Sequence, residues 1–182
     1  ISFMVVDNGA SFAPSDSQRL ERLAQESPDI TNWSGTIVGS GLCNLDHVAN
    51  DVVDGMFKDG ILHVSSAGNS GTSGGGCSVN VPGLASGAVT VGATQSNGLP
   101  PIDRPVPSWS SRITALSDDE TAGPDIHTGG RSVIDFVAPE GVDDIWGPLL
   151  ADSGYQGNAT PGTSFSAPVI TGMARLMKEH LI

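Results

Sequence analysis

Two short stretches of this sequence carry residues whose types and spacing suit acyl transfer. The first is Gly162-Thr-Ser-Phe-Ser-Ala-Pro168, at the start of an apolar-periodic segment. A serine hydroxyl at a helix start, here Ser164, sits where unpaired backbone N–H groups point outward and carry positive partial charge. That environment favours a developing oxyanion. Gly162 lets a substrate backbone approach closely, and Pro168 is expected in the first helical turn, where its missing N–H costs nothing. Read alone, the stretch is equally an ordinary capped helix, because Ser and Thr cap helices in every kind of protein. The second stretch is Ser65-Ser-Ala-Gly-Asn-Ser-Gly71, a strand ending in small residues followed by an Asn in a turn. Small residues leave room for a bound chain. A rigidly held Asn69 amide can donate to an oxyanion, a bond typically worth about 3 kcal/mol in the transition state. Alone, this too is a common Gly-rich turn. The two stretches lie far apart in sequence, so any joint chemistry requires the fold to bring them together.

The elements that must do so are legible as periodicities. Ile1 to Val6 is an apolar run read as a strand, followed by strand end and loop to Pro14 with an Asn8-Gly9 turn. Asp16 or Ser17 is expected to cap a short helix through Arg19, Leu20 and Leu23. Pro28 to Leu42 reads as a long loop. Leu45, Val48, Val52 and Met56 predict a helix over 44–58, capped by Asn44 or Asp46 and stopped by Gly60. Strands are expected at Ile61–Ser66, Ala88–Gly92 and Val133–Val137, with mostly loop from Gly98 to Arg131 and a polar insertion at Asp118-Asp-Glu120. The last helix is predicted over 164–180, with Val169, Ile170, Met173, Leu176 and Met177 as its apolar stripe. Strands alternating with helices imply an α/β layered fold with a parallel sheet. No internal repeat or domain linker interrupts it.

Taken together, these residues resemble the subtilisin-like serine proteases, or subtilases. Gly162-Thr-Ser-Phe-Ser-Ala-Pro168 is similar to the family's serine motif, and Ala67-Gly-Asn69 to its oxyanion motif. Val137-Ala-Pro139, Pro82-Gly83 and Val89-Thr-Val-Gly-Ala93 fit the intervening segments in the right order. The resemblance implies a three-layer α/β sandwich with a mainly parallel sheet. It implies Ser164 as nucleophile, its own N–H as one oxyanion donor and the Asn69 side chain as the other. Ser66, Ala67 and Gly68 would line one wall of the pocket for the residue before the cleaved bond, alongside Gly162 and Thr163. The loop from Ser78 to Gly83 would form its floor, with Asn80 at the bottom. No acidic residue matches that floor, so no strict Arg or Lys preference is expected. Peptides or proteins are the implied substrates, no cofactor is required, and a structural calcium is compatible.

The family also uses an Asp in a strand-end Asp-x-Gly motif and a His opening a helix in a His-Gly-Thr context, without which a serine hydroxyl is a poor nucleophile. None of the four His, at 47, 63, 127 and 180, has that context. Asp7-Asn-Gly9 resembles the Asp motif, and His47-Val-Ala resembles the residues after the His. The helix at 44–58, however, runs directly into Asn69, where the family has a later helix. Ile1 to Val6 is therefore placed at the family's substrate-flanking strand, although the Ser-x-Gly expected at its end is not clear. The Asp and His are expected on a preceding segment, which makes this chain a partial domain and the N-terminal half its partner. An inactive relative serving as a binding module is the first rival reading. An unrelated α/β hydrolase is the second, and the absence of a Gly-x-Ser-x-Gly elbow argues against it.

Composition limits the remaining possibilities. The 182 residues include 20 Asp and Glu but only 8 Lys and Arg, a formal charge of -12. A basic surface for nucleic acid or anionic membrane is excluded by that balance. Mean hydropathy of -0.01 is that of a globular chain; no apolar stretch is long enough to span a bilayer and no signal peptide is visible at Ile1. Carboxylates could hold calcium, but EF-hand spacing is lacking. Cys43 and Cys77 allow one disulfide or none. They flank a helix and strand joined by one turn, whose outer ends run back near each other. A disulfide there suits a secreted or extracytoplasmic protease.

Overall fold

The structure, a computed structural model, describes residues 15–37, 39–73, 77–95, 103–113, 134–139, 146–148, 155–157 and 161–181. Helix α1 (Asp16–Gln25) starts one residue earlier than expected, because Ser15 is its cap. The Ser15 hydroxyl accepts from the Gln18 N–H while Gln18 Oε1 accepts from the Ser15 N–H, a reciprocal capping box. Helix α2 (Val48–Lys58) is capped by His47, whose Nδ1 accepts from the Ala49 N–H. Asn44 and Asp46 do not cap it. Asn44 is instead part of the lead-in turn, where the Asn50 amide donates to the carbonyls of Asn44 and Leu45. Gly60 ends α2 at φ +83°, with Gly60 N–H on the Phe57 carbonyl and Ile61 N–H on the Met56 carbonyl. These two bonds form a Schellman closure that needs a left-handed residue.

Among the described residues, four parallel strands form the sheet in the order β1 (Ile30–Trp33), β2 (Leu62–Ser66), β3 (Ala88–Thr94) and β4 (Phe136–Pro139). β1 lies inside the stretch read as loop, and it is this strand that flanks β2. Ile1–Val6, assigned to that place from the sequence, lies outside the described residues. β1 is short and half polar, yet its polar side chains are paired. Buried Thr31 bonds His63 Nδ1 at 2.8 Å, and Asn32 accepts from Thr171 at 3.0 Å. β4 begins three residues later than its apolar run suggests. A separate antiparallel pair, β5 (Trp146–Pro148) and β6 (Tyr155–Gly157), has no counterpart in the sequence reading.

Alternation along the strands gives the sheet two buried faces. On one face Val64, Val91 and Ala138 pack against Ala167, Val169 and Ile170 of α3 (Thr163–Leu181). On the other, Ala88 and Trp33 join Val53 and Met56 of α2 and Leu20 of α1. The layers are thus helix, sheet, helix, as expected. Each fully buried Val, Leu or Met side chain contributes about 1.5–3 kcal/mol relative to exposure. The expected stripe of α3 is only partly core. Val169 and Ile170 meet the sheet, while Met173, Leu176 and Met177 are 54–61% exposed. The helix outruns the four strands beneath it. Pro168 is the sixth residue of α3, counted from Thr163, not a first-turn residue. It therefore removes the N–H that would have bonded the Ser164 carbonyl.

Cys43 and Cys77 form a disulfide with a Cα–Cα separation of 5.9 Å. Beside it the Cys43 N–H donates to the Val79 carbonyl, and Leu42 pairs with Asn80 in an antiparallel bridge.

Candidate active site

β2 ends at Ser66, and the chain turns through Ala67 and Gly68 to Asn69. Gly68 adopts φ +107°, a left-handed conformation that L side chains rarely adopt. A Cβ there would also lie 2.2 Å from Asn80 Nδ2, so only glycine fits. The turn is fixed from behind by residues 109–111. Ser111 donates its N–H to the Gly68 carbonyl, its hydroxyl accepts from the Ser70 N–H, and Gly71 donates to the Trp109 carbonyl.

The start of α3 docks directly on this turn. Asn69 Oδ1 accepts from both the N–H and the hydroxyl of Thr163, each at 3.0 Å. The Gly68 N–H in turn donates to Thr163 Oγ1 at 3.1 Å. The carbonyl end of the Asn69 amide is thus doubly occupied. Its Nδ2 faces Gly162, 3.3 Å from where a Cβ would stand, and has no acceptor among the described residues. Ser164 is the second residue of α3, in the turn whose N–H groups lack helical partners. Ser166 anchors that turn to β4 by donating toward the carbonyls of Ala138 and Pro139.

Asn69, Thr163 and Ser164 all line one cavity of about 360 Å³ at the carboxyl ends of β1 and β2, the usual place for a ligand on an open α/β sheet. Ser66, Gly68, Ser70 and Asn80 line it as well, and Thr36 and residues 39–42 supply the facing wall. Of the sequence-predicted residues, Ser164, Asn69, Ser66, Gly68, Asn80 and Thr163 therefore converge. Ala67 is fully buried and does not line the cavity, and Gly162 borders it through the Asn69 amide. Within the Ser78–Gly83 floor only Asn80 reaches the opening, because Ser78, Val79 and Val81 turn into the core.

Sequence reasoning missed Thr36 and residues 39–42, which stood in a stretch read as featureless loop. The Trp33-Ser34-Gly35 ending of β1 is the signal that could have placed them. His47 is engaged as the cap of α2, and no His, Asp or Glu lines the cavity among the described residues. His63 is fully buried, and burial pushes its imidazole down to about 4. His180 is exposed at the helix end, while Asp7 and His127 lie outside the described residues. Among the described residues, no group of three or more His, Cys, Asp or Glu is placed to hold a metal ion, and no helix is long and apolar enough to cross a membrane.

Comparisons with known proteins agree with this architecture. The solved structure of the S41 psychrophilic protease superimposes with a TM-score of 0.63 at 23% identity, covering 92% of this chain and 50% of that one. Sphericase gives 0.59 at 24% identity, covering 87% and 46%. At these identities the likeness is one of fold. The minor extracellular protease Vpr of Bacillus subtilis (strain 168) is 37% identical over 76 residues, which is 42% of this chain and 9% of that protein. The chain thus spans about half the length of those solved structures and a small part of the curated relative. The family model described as the subtilase family, Peptidase S8, matches residues 1–181. With that match running over nearly the whole chain, and with the parallel sheet of the subtilisin-like structures beneath Asn69 and Ser164, this chain belongs to the subtilase family.

Proposed function

We propose that this chain is the nucleophile-bearing part of a serine endopeptidase, with Ser164 attacking the peptide carbonyl. The observation that carries the reading is the state of Asn69. Thr163 occupies its Oδ1, so its Nδ2–H is left to donate beside Ser164 in the same cavity. In the reaction a general base takes the Ser164 proton as Oγ bonds the carbonyl carbon. The carbonyl oxygen becomes an oxyanion held by Asn69 Nδ2–H and the Ser164 N–H. Collapse expels the amine with that proton, and water releases the acyl group by the reverse path.

The base and its carboxylate partner belong, in this reading, to another segment of the protein, since none lines the cavity among the described residues. The 182-residue chain alone is then expected to be inactive toward peptides. Ser66, Gly68 and Asn80 receive the side chain before the cleaved bond. Secretion is part of the reading, supported by the Cys43–Cys77 disulfide and the extracellular relative.

The test is fluorophosphonate labelling and peptide hydrolysis by the full-length protein. Ser164→Ala is expected to abolish labelling. Asn69→Ala is expected to cut kcat about 100-fold with little change in KM. A full-length protein that neither labels nor cleaves would be a binding module on a protease fold.

A further inference from the structure

The cavity is crossed by a hydrogen bond between two of its lining residues. Asn80 Nδ2 donates to Thr36 Oγ1 at 2.6 Å. The Asn80 backbone is fixed, with its N–H on the Ala67 carbonyl, its carbonyl accepting from Gly83, and Leu42 alongside in an antiparallel bridge. Its amide lies against the bare Cα of Gly68, and the residue is 4% exposed. No donor to Asn80 Oδ1 is present among the described residues, and no charged side chain lines the cavity among them.

We propose that the Thr36–Asn80 pair sets what this cavity accepts: Thr36 engages the amino end of the Asn80 amide and leaves Oδ1 to receive a hydrogen bond from a carboxamide side chain, glutamine or asparagine, before the cleaved bond. This rests on the protease reading above. Asn80 touches the substrate, and Thr36 is a positioning residue acting through it. A glutamate in the cavity would set its carboxylate against Oδ1 with no donor between them. A leucine would leave Oδ1 dehydrated and unpaired. A lysine or arginine would lose water without gaining a countercharge. A carboxamide supplies the missing donor and carries no charge.

Glutamine and glutamate match in size and differ in that donor and in charge, so with uncharged leucine beside them they make the decisive set. With the full-length protein and peptides differing only at the residue before the cleaved bond, kcat/KM for Gln is expected to exceed that for Glu and for Leu about tenfold or more. Thr36 is exposed, so Thr36→Val tests the bond without opening the core. It frees the amide to turn its amino end inward, and the Gln-to-Glu ratio is expected to fall toward one. Thr36→Ser is expected to restore it. Asn80→Asp should move the preference to Lys and Arg. Equal cleavage of Gln, Glu and Leu, a preference for Glu, or a ratio unchanged by Thr36→Val would overturn the assignment. Fluorophosphonate labelling separates the two readings. A labelled Ser164 with no carboxamide preference sinks this inference alone, whereas an unlabelled protein sinks the nucleophile assignment with it.

Discussion

An asparagine amide has two ends of opposite chemistry, and in both cavity-lining asparagines one end is held by a threonine. At position 69 the acceptor end is held, which leaves a donor. At position 80 the donor end is held, which leaves an acceptor. At position 69 the Thr163 N–H can only donate, and this removes the ambiguity of which end of that amide a ligand meets. The Thr163 hydroxyl matters doubly, since it also accepts from the Gly68 N–H. Thr163→Val should therefore lower kcat of the full-length protein about tenfold through a loosened Asn69, with KM little changed, while Thr163→Ser keeps most of the rate. Steady-state kinetics on the two variants would decide it. Gly68→Ala places a methyl group 2.2 Å from Asn80 Nδ2. The expected result is loss of substrate selectivity together with reduced stability, read from peptide profiling and a thermal melt.

Among the elements, β2 has two tasks: it carries His63 inside the sheet and delivers Asn69 beyond its end. His63 is fully buried, and its Nε2 has no hydrogen-bond partner among the described residues. Burial holds its imidazole at about 4, below the ordinary 6.5. Between those values the unfolded chain takes up a proton that the folded chain refuses. Stability is therefore full above about pH 6.5 and lost as pH falls toward 4, by about 3 kcal/mol in all. The Lys178 ammonium beside Asp29 holds that carboxyl below its usual value, so its contribution is lost only at lower pH. Urea melts from pH 4.5 to 7 should show the slope in the parent protein and lose it in His63→Gln. A parent protein with flat stability across that range would refute the buried neutral imidazole.

Elements with a clear period were legible in the sequence. α2, β2, β3 and α3 stand within a few residues of their expected places, because their burial repeats with their geometry. β1 was not legible, since Thr31 and Asn32 look like loop residues until His63 and Thr171 arrive to bond them. The exposed Met173, Leu176 and Met177 misled in the opposite direction, because an apolar stripe gives no measure of how far the sheet beneath it extends. At the site, motif order singled out Ser164 and Asn69, and the fold brings both to one cavity. The Thr36 wall escaped notice because its role is defined by Asn80, 44 residues away.

Across the whole molecule, the disulfide ties the wall formed by residues 39–42 to the floor segment at Asn80. It closes a loop of 34 residues, which in the chain-entropy account stabilises the fold by about 3–4 kcal/mol. Reduction, or the double variant Cys43→Ser/Cys77→Ser, should lower the denaturant midpoint accordingly and raise KM more than it lowers kcat. An unchanged midpoint would show that the disulfide does not staple the fold.

The clasp between Asn69 and Thr163 spans 94 positions of chain, and that distance has a consequence in time. A newly made polypeptide can form α1 or α2 from neighbours, but this clasp must wait for long-range parallel pairing, the slow part of folding. On the proposed function, the oxyanion site needs that long-range pairing in place, and cleavage power arrives only with it. Unfinished copies are potential prey with no power to cut, so a growing population of chains passes through its most digestible stage before it holds a competent predator.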